Sequence, residues 1–511
     1  MASHPSATVP DSSCRLEALC WADRPPQRAD VLVVGGGFSG LLVAVGILER
    51  DPQATIAVVE RSPRWAPGVA YGGCEPQHLL NVRADRMGAV AESPGDFHEW
   101  LERKFPGTFG RNDFVARSLY GEYLNETVSA LLAPHRARIS LIRDAVLETD
   151  LGAANGSHSG VARLASGARI GAEVIVLALG LPAAHPTWQD ASRDATPRDP
   201  WSDGAFSGLE QDDAIIVVGT GLTALDVLVS LASRSHRGPI TFVSRNGRFP
   251  LPHSVAAPTH SNEPSALDAA VLAAGPKQAF RAVRNLARRC VAAGRPWQDA
   301  LDAVRPHTTS TWQSWSDRDR SRFLTRIRPF WEIHRHRAPR TVLHLVERGL
   351  ASGQIRVLCG SIASIDTSRT TPIRVRRLDV SVCLDGTTPS HGTTVIGADR
   401  IYHCIGPAMR VHEIPDPLLQ SLLSRGVVSS DGAGLGLRAD DRGLAIRSDG
   451  QTNRALFVLG ALRRGDLWES TAVPELRLQT RTVADESVGI IQAARSGADS
   501  RPTSAIREIR T

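Results

Sequence analysis

Twice in this chain four consecutive apolar residues run straight into a glycine turn and leave it as an apolar helix. The first case is Val31-Leu32-Val33-Val34, then Gly35-Gly36-Gly37-Phe38-Ser39-Gly40 and a helix expected to end near Arg50, closed by the strand Ile56-Ala57-Val58-Val59-Glu60. The second is Ile215-Ile216-Val217-Val218, then Gly219-Thr220-Gly221-Leu222-Thr223-Ala224 and a helix to about Ser233, closed by Ile240-Thr241-Phe242-Val243-Ser244. Strands that are apolar at every position are covered on both faces, the condition of a parallel sheet between helices. A further repeat agrees. Ile170-Gly171-Ala172-Glu173 stands ahead of Gly180 at the same interval as Ile396-Gly397-Ala398-Asp399 stands ahead of Gly406. One architecture used twice is far harder to obtain by chance than one motif.

In such a turn the first glycine permits the tight reversal, the second lets backbone approach a pyrophosphate, and the third allows helix and strand to touch. The helix N-terminus then offers unpaired N–H groups and the positive end of its dipole to the phosphates. At the first turn these roles fall to Gly35, Gly37 and Gly40, with Phe38 and Ser39 between them. Glu60, beside Arg61, ends the next strand, where a carboxylate accepts from both ribose hydroxyls. FAD is the preferred ligand, because this unit comes first and a second nucleotide unit follows. A purely structural glycine turn is the bland alternative. At the second turn Gly219, Gly221 and Ala224 repeat the spacing around Leu222 and Thr223, but the strand ends in Ser244-Arg245, with Arg248 close behind. A carboxylate there would repel a 2′-phosphate, whereas hydroxyl and guanidinium groups bind it by charge-assisted hydrogen bonds. NADPH is therefore preferred to NADH, against the alternative that Arg245 is one more surface arginine in an arginine-rich chain.

The fold expected is α/β, with two Rossmann-like dinucleotide-binding domains, one for FAD and one for NADPH, and a helical insertion in the second. The spans are 1–28 as a flexible N-terminus, 29–195 and 406–496 as the two parts of the FAD domain, 205–405 as the NADP domain with its insertion at about 255–348, and 497–511 as a flexible tail. In the insertion Phe280, Val283, Leu286 and Cys290 recur at helical spacing, and it holds Trp297, Trp312, Trp315 and Trp331, four of the chain's ten tryptophans. Such a block caps an active site or merely packs its own core. Gly180, Gly406 and Gly460 end strands that return toward a nucleotide. Gly68-Val69-Ala70-Tyr71 and His78-Leu79-Leu80-Asn81-Val82 follow Glu60 where a chain passes along the flavin. Tyr71 is a candidate cofactor contact, and Asn81 and His78 are candidate hydrogen-bonding groups for the isoalloxazine or the substrate, a structural role in a loop being the equal alternative. Near the end, 465–477 returns after an apolar strand, with Thr471 and Ala472 opening a helix whose N-terminus would stabilise negative charge on reduced flavin.

Composition removes other classes. The net charge is +6, but only Lys104 and Lys277 among 59 basic residues are lysines, and the arginines are scattered, which argues against nucleic acid. The seven cysteines show no CxxC pair, so neither a dithiol redox centre nor a zinc cluster is expected, and free thiols suit a reducing cytosol. With no secretory signal pattern and no long apolar run, a cytoplasmic protein without a membrane partner is expected. His334-Arg335-His336-Arg337 lacks acidic or cysteine partners for a metal, so no metal is assigned; an anion site and a structural Arg/His network both stay open.

Several runs resemble a bacterial FAD/NAD(P)-binding protein family across about residues 30–490: 34–40, 68–71, Leu80-Asn81-Val82, Leu119-Tyr120-Gly121-Glu122-Tyr123-Leu124, 467–477, and His334 to Arg337 after Arg328-Pro329-Phe330-Trp331. The chain departs from that pattern at Arg83, where proline is expected. The resemblance implies a distant relationship to flavin-dependent N-hydroxylating and Baeyer–Villiger monooxygenases. It implies an NADPH-reduced flavin that forms a C4a-(hydro)peroxide with dioxygen and oxidises a small nucleophilic substrate, an amine nitrogen foremost. An NADPH-dependent flavin reductase feeding a quinone or partner protein, and a non-catalytic FAD-binding regulator, are the competing readings. The oligomeric state is open.

Overall fold

A computed structural model of the chain describes residues 16, 24–151, 160–180, 189–190, 198–254, 267–366, 378–384, 393–406 and 410–499. Most of the expected flexible ends, and the start of the expected insertion at 255–266, lie outside the described residues. The strands are β1 (Arg28–Val34), β2 (Ile56–Glu60), β3 (Ile139–Arg143), β4 (Val146–Leu151), β5 (Gly160–Leu164), β6 (Arg169–Leu177), β7 (Gln189–Asp190), β8 (Ile215–Val218), β9 (Ile240–Ser244), β10 (Ile355–Asp366), β11 (Leu378–Leu384), β12 (Thr393–Ala398), β13 (Arg400–His403), β14 (Leu444–Ile446) and β15 (Thr452–Val458).

They form two Rossmann-like sheets. The first runs β14-β15-β6-β1-β2-β3, parallel except at β14, with the β4–β5 hairpin added to β6. The second runs β12-β11-β10-β9-β8-β13, with a parallel core of β10, β9, β8 and β13. Alternate side chains enter opposite layers. Val31 and Val33 join the core under the Phe38–Arg50 helix, while Leu32 and Val34 join the core under the Pro417–Ser424 helix. Ile215 and Val217 divide from Ile216 and Val218 in the same way. That is why every position of these strands is apolar.

The two units match in detail. β6 pairs antiparallel with β5 over Arg169–Ala172 and parallel with β1 from Gly171 to Leu177. In the second unit these duties are divided between β12, antiparallel to β11, and β13, parallel to β8, with a break at Asp399, whose N–H donates to Ala214 O. The sequence match of 170–173 with 396–399 is thus one structural position in two sheets. The chain between 215 and 403, together with β7 laid parallel to β10, builds the second sheet, and β14 and β15 then return to the first. The Val473–Asp499 helix lies against the Phe38–Arg50 helix, where a Cβ at Gly46 would stand 3.0 Å from Ala484 Cβ. Among the described residues no helix is long and apolar enough to cross a membrane.

Candidate functional site

At the first turn Gly35 has φ +110°, and a Cβ there would stand 2.3 Å from the Ala178 carbonyl oxygen, so only glycine fits. Its N–H donates to Val59 O (2.8 Å), tying the turn to β2. A Cβ at Gly40 would lie 1.8 Å from Gly35 O, which brings the Phe38–Arg50 helix down onto the turn. Gly37 differs. It is the extended N-cap (φ −77°, ψ −167°), with no side-chain cap and no acidic residue in the first helical turn, and its nearest obstacle to a Cβ is Gly68 Cα at 3.6 Å. The helix end therefore faces open space with its first N–H groups unpaired by side chains, the geometry that suits a diphosphate. Glu60 accepts from Gly36 N–H (2.7 Å) and Ser62 N–H (2.7 Å), fixing its carboxylate at the end of β2 with lone pairs left for a ribose. Gly36 joins these residues at the site. Its place between Gly35 and Gly37 is the signal, and a Cβ there would meet the Trp65 ring at 2.6 Å.

The second turn repeats this within a few degrees. Gly219 has φ +113°, and its Cβ would meet Cys404 O at 2.4 Å, while its N–H donates to Val243 O (2.8 Å). Gly221 caps the Leu222–Ser233 helix at φ −76°, ψ −170°, with nothing within 4 Å of a Cβ. Ala224 is fully buried, and Leu222 and Thr223 are half-buried in the first turn. The difference lies at the end of the second strand. Thr220 Oγ1 donates to Ser244 Oγ (3.1 Å), so a hydroxyl pair replaces the glycine–carboxylate link of the first unit. Arg245 is exposed and makes no ion pair among the described residues, while Arg248 lies over the Phe330 ring (4.2 Å). Gly180 (φ +65°) and Gly406 (φ +82°) stand two residues beyond the carbonyls of Ala178 and Cys404, in open space.

The remaining candidates fall around these turns. Gly68 (φ +59°) opens a short helix, Gly68–Gly72, and a Cβ there would approach Gly37 Cα at 3.4 Å. Tyr71 packs edge-on to Tyr120 (4.7 Å), and burial pushes its phenol up to about 12 against the pull of Arg117. Gly121 is glycine because its Cβ would stand 2.8 Å from Tyr71 O. Asn81 is half-buried, and its side chain makes no hydrogen bond among the described residues. His78 is 3% exposed, and both ring nitrogens are engaged: Nδ1 accepts from Glu75 N–H (3.3 Å) and Nε2 meets Ser230 Oγ (2.8 Å) on the Leu222–Ser233 helix. Burial lowers its pKa. Arg61 pairs with exposed geometry to Asp416 (3.1 Å). Gly460 (φ +76°) sits with its Cα face toward Ser39 and donates its N–H to Gln479 (3.1 Å). Ala472 O receives the N–H groups of Glu475 and Leu476, opening the last helix directly after the exposed Thr471. Arg83 adopts φ −69°, ψ 150°, which proline also adopts, and its guanidinium bonds Asn112 O and Ser254 O.

The two units are fastened through pairs that the sequence did not disclose. Arg117 and Asp226, both with side chains 12% exposed, form a 2.7 Å ion pair between the Arg117–Leu132 and Leu222–Ser233 helices. Arg234 and Glu75 add a second link. In the basic run, Arg335 clasps Glu469 (2.9 and 3.1 Å) and Arg337 reaches Asp302 (2.7 Å), so both guanidiniums have carboxylate partners within the protein, as in a structural network. His334 Nδ1 bonds Phe330 O (2.7 Å). Among the described residues no group of three metal-ligating side chains occurs.

The first cradle, its carboxylate, and β6 with Ala178 and Gly180 just beyond it all fall within one contiguous stretch. Residues 32–182 match the FAD-NAD(P)-binding family. No curated protein matches the sequence. Among solved structures the chain is similar to L-lysine 6-monooxygenase from Pseudomonas syringae, at 17% identity and TM-score 0.61 over 91% of this chain and 99% of that one. It is similar to ornithine N-hydroxylase of Kutzneria sp. 744, in a structure with reduced FAD, NADP+ and L-ornithine, at 13% identity and TM-score 0.63 over 92% and 100%. Bacillithiol disulfide reductase from Bacillus cereus is similar at 12% identity and TM-score 0.50 over 91% and 99%. At these identities the likeness is one of fold.

Proposed function

We propose that this chain is an FAD-dependent, NADPH-consuming oxidoreductase that acts with dioxygen as a monooxygenase on a small nucleophilic substrate, an amine nitrogen foremost. The observation that carries the reading is that two backbone cradles of the same geometry end in opposite chemistry. One ends in the Glu60 carboxylate, the other in Ser244 and the exposed guanidinium of Arg245. A carboxylate favours a ribose with both hydroxyls free, and a hydroxyl beside a guanidinium favours a 2′-phosphate, so the two sites take different nucleotides. Gly35, Gly37 and Gly40 would hold the FAD diphosphate, with Glu60 on its ribose; Gly219, Gly221 and the first turn at Leu222 and Thr223 would hold that of NADPH. Flavin supplies hydride acceptance and oxygen reactivity when bound. Asn81, with an unengaged amide, is the candidate polar contact near it. Buried, and bonded to Glu75 N–H and to Ser230 Oγ of the Leu222–Ser233 helix, His78 joins the two units rather than facing a ligand. The open-faced helix end at Ala472 favours negative charge on a bound flavin. The fold shared with the lysine and ornithine monooxygenases supports the oxygenase reading.

Electron transfer to a quinone or partner protein is the competing outcome. No two of the chain's seven cysteines stand at CxxC spacing, so the dithiol pair that would relay electrons to a disulfide substrate is not written in the sequence. The experiment is anaerobic reduction of the flavoprotein by NADPH, followed by aeration with amines, sulfides and ketones. Bleaching of the flavin band, then oxygenated product in proportion to NADPH, supports the proposal. Bleaching followed by hydrogen peroxide alone with every substrate class overturns the oxygenase step, and a flavin that NADPH does not bleach overturns the whole reading.

A further inference from the structure

The helical insertion does not close on itself. Between it and the segment around Trp468 lies a cavity of about 360 Å³, within the range of small-molecule sites. Five tryptophans line it: Trp297, Trp312, Trp315, Trp331 and Trp468. Three of their indole N–H groups are held by protein acceptors: Trp312 by Gly465 O (2.6 Å), Trp315 by Leu272 O (3.0 Å) and Trp331 by Glu469 (3.2 Å). What these three rings offer a ligand is therefore carbon. Among the described residues the lining includes no aspartate or glutamate, and Glu469, in the adjoining wall, is clasped by Arg335. Arg284 and His334 are the ionisable side chains of the lining, and Arg284 is exposed and without an ion pair among the described residues. Phe280 and Phe330, each 41% exposed, also line the cavity, so apolar surface is left open at its rim.

Trp468 adds an independent observation. Its φ of +59° is a left-handed value that a bulky L residue adopts only when its surroundings impose it, and its ring stacks on Trp312 at 4.7 Å. The same backbone reaches Thr471 and Ala472 within four residues. A ligand resting on Trp468 thus lies against the segment that opens the helix proposed to face the flavin.

We propose that this cavity binds the body of the substrate, and that the substrate is a bulky, ring-bearing apolar molecule that is neutral or directs an acidic group toward Arg284. A short cationic amine or free amino acid would leave water here for carbon walls and meet a guanidinium instead of a counter-ion. A nitrogen nucleophile compatible with such a cavity is an arylamine, uncharged at neutral pH. Service as the substrate pocket rests on the oxidoreductase reading; occupancy by this class of molecule does not.

The test titrates the flavin-loaded protein with two dyes, the anionic 1-anilinonaphthalene-8-sulfonate and its uncharged congener N-phenyl-1-naphthylamine, with cadaverine as cationic competitor. Both dyes are expected to bind at one site, and cadaverine is not expected to displace them. Ala287→Trp, which fills the cavity, weakens both by about tenfold or more with circular dichroism and flavin content unchanged. Arg284→Glu, at the exposed rim, weakens the anionic dye by about fivefold and leaves the neutral one unaltered. Displacement by cadaverine, or equal response of the two dyes to Arg284→Glu, overturns the proposal even if Ala287→Trp proves unfolded; a well-folded Ala287→Trp that binds both dyes like the parent overturns it as well. Protein that binds the dyes but is not bleached by NADPH keeps the cavity and loses the oxidoreductase reading, and protein that is bleached but binds no dye does the reverse.

Discussion

Gly37→Val separates folding from cofactor binding, because the structure gives the new side chain protein room but no ligand room. Gly37 already has an extended backbone that any residue adopts, and a Cβ there is 3.6 Å from its nearest neighbour, Gly68 Cα. Loss of glycine at the N-cap costs at most about 1 kcal/mol, and a stiffer unfolded chain returns about 0.4–1 kcal/mol. The apoprotein is thus expected to unfold within about 1 kcal/mol of the parent. For the nucleotide the effect is large. Removing the diphosphate from two helix-end N–H groups forfeits two charge-assisted hydrogen bonds at about 1.5–3 kcal/mol each, or roughly 100- to 10,000-fold in FAD affinity. Gly221→Val should do the same to NADPH while sparing FAD, since a Cβ there meets nothing within 4 Å. Gly40→Ala is the contrast: its Cβ would lie 1.8 Å from the Gly35 carbonyl, backbone against backbone, and no soluble protein is expected. The assays are flavin content on purification, titration of stripped protein with each nucleotide, and urea unfolding of the apoprotein. Stoichiometric FAD in Gly37→Val refutes the reasoning, as does an apoprotein destabilised by more than about 2 kcal/mol, which would move the effect to folding.

Arg245→Ala should weaken NADPH by roughly 10- to 100-fold and leave NADH unchanged in fluorescence titrations; equal losses for both count against the 2′-phosphate assignment. Asp226→Asn strands the buried Arg117 guanidinium and should cost about 3 kcal/mol in denaturant unfolding, whereas Arg117→Met with Asp226→Leu should recover much of it; a double variant as unstable as the sum of the singles refutes the pairing. Burial first, then the cations Arg337 and Arg83, holds the His253 pKa at about 4, below its ordinary value of 6.5. As pH falls from 6.5 the unfolded chain takes up this proton and the folded chain resists it down to about 4, so stability is lost across that window. The urea midpoint should therefore depend less on pH between these values in His253→Gln, and an unchanged slope would dismiss the residue as a contributor.

The parts legible in the sequence are those whose physics is local. The spans of β2, β8 and β9 follow from apolar runs, as does the Val31–Val34 part of β1, which the structure extends back through Asp30 to Arg28, and the glycines follow from the turn that joins each run to its helix. Gly36 escaped notice because its reason, the flat approach of Trp65, is a tertiary contact. His78 could be read as a polar group in a loop, but its partner Ser230 lies 152 residues away. Separations of 109 and 134 residues hide Arg117 from Asp226 and Arg335 from Glu469, which is why the basic run 334–337 leaves two readings open. The insertion announced its tryptophans, not the cavity between them, because helical spacing fixes which residues share a face and says nothing of what that face leaves unfilled.

The first sheet draws β15 from the far end of the chain, where Leu456 pairs with Ile175 of β6. During synthesis at roughly 5–20 residues per second, the edge of β6 waits on the order of tens of seconds for that neighbour, while the intervening unit already has all its own strands. A bare, apolar strand edge is an invitation to a second nascent copy. Closing that edge is therefore the last step in assembling the first sheet, and it waits on residues delivered after the whole second unit.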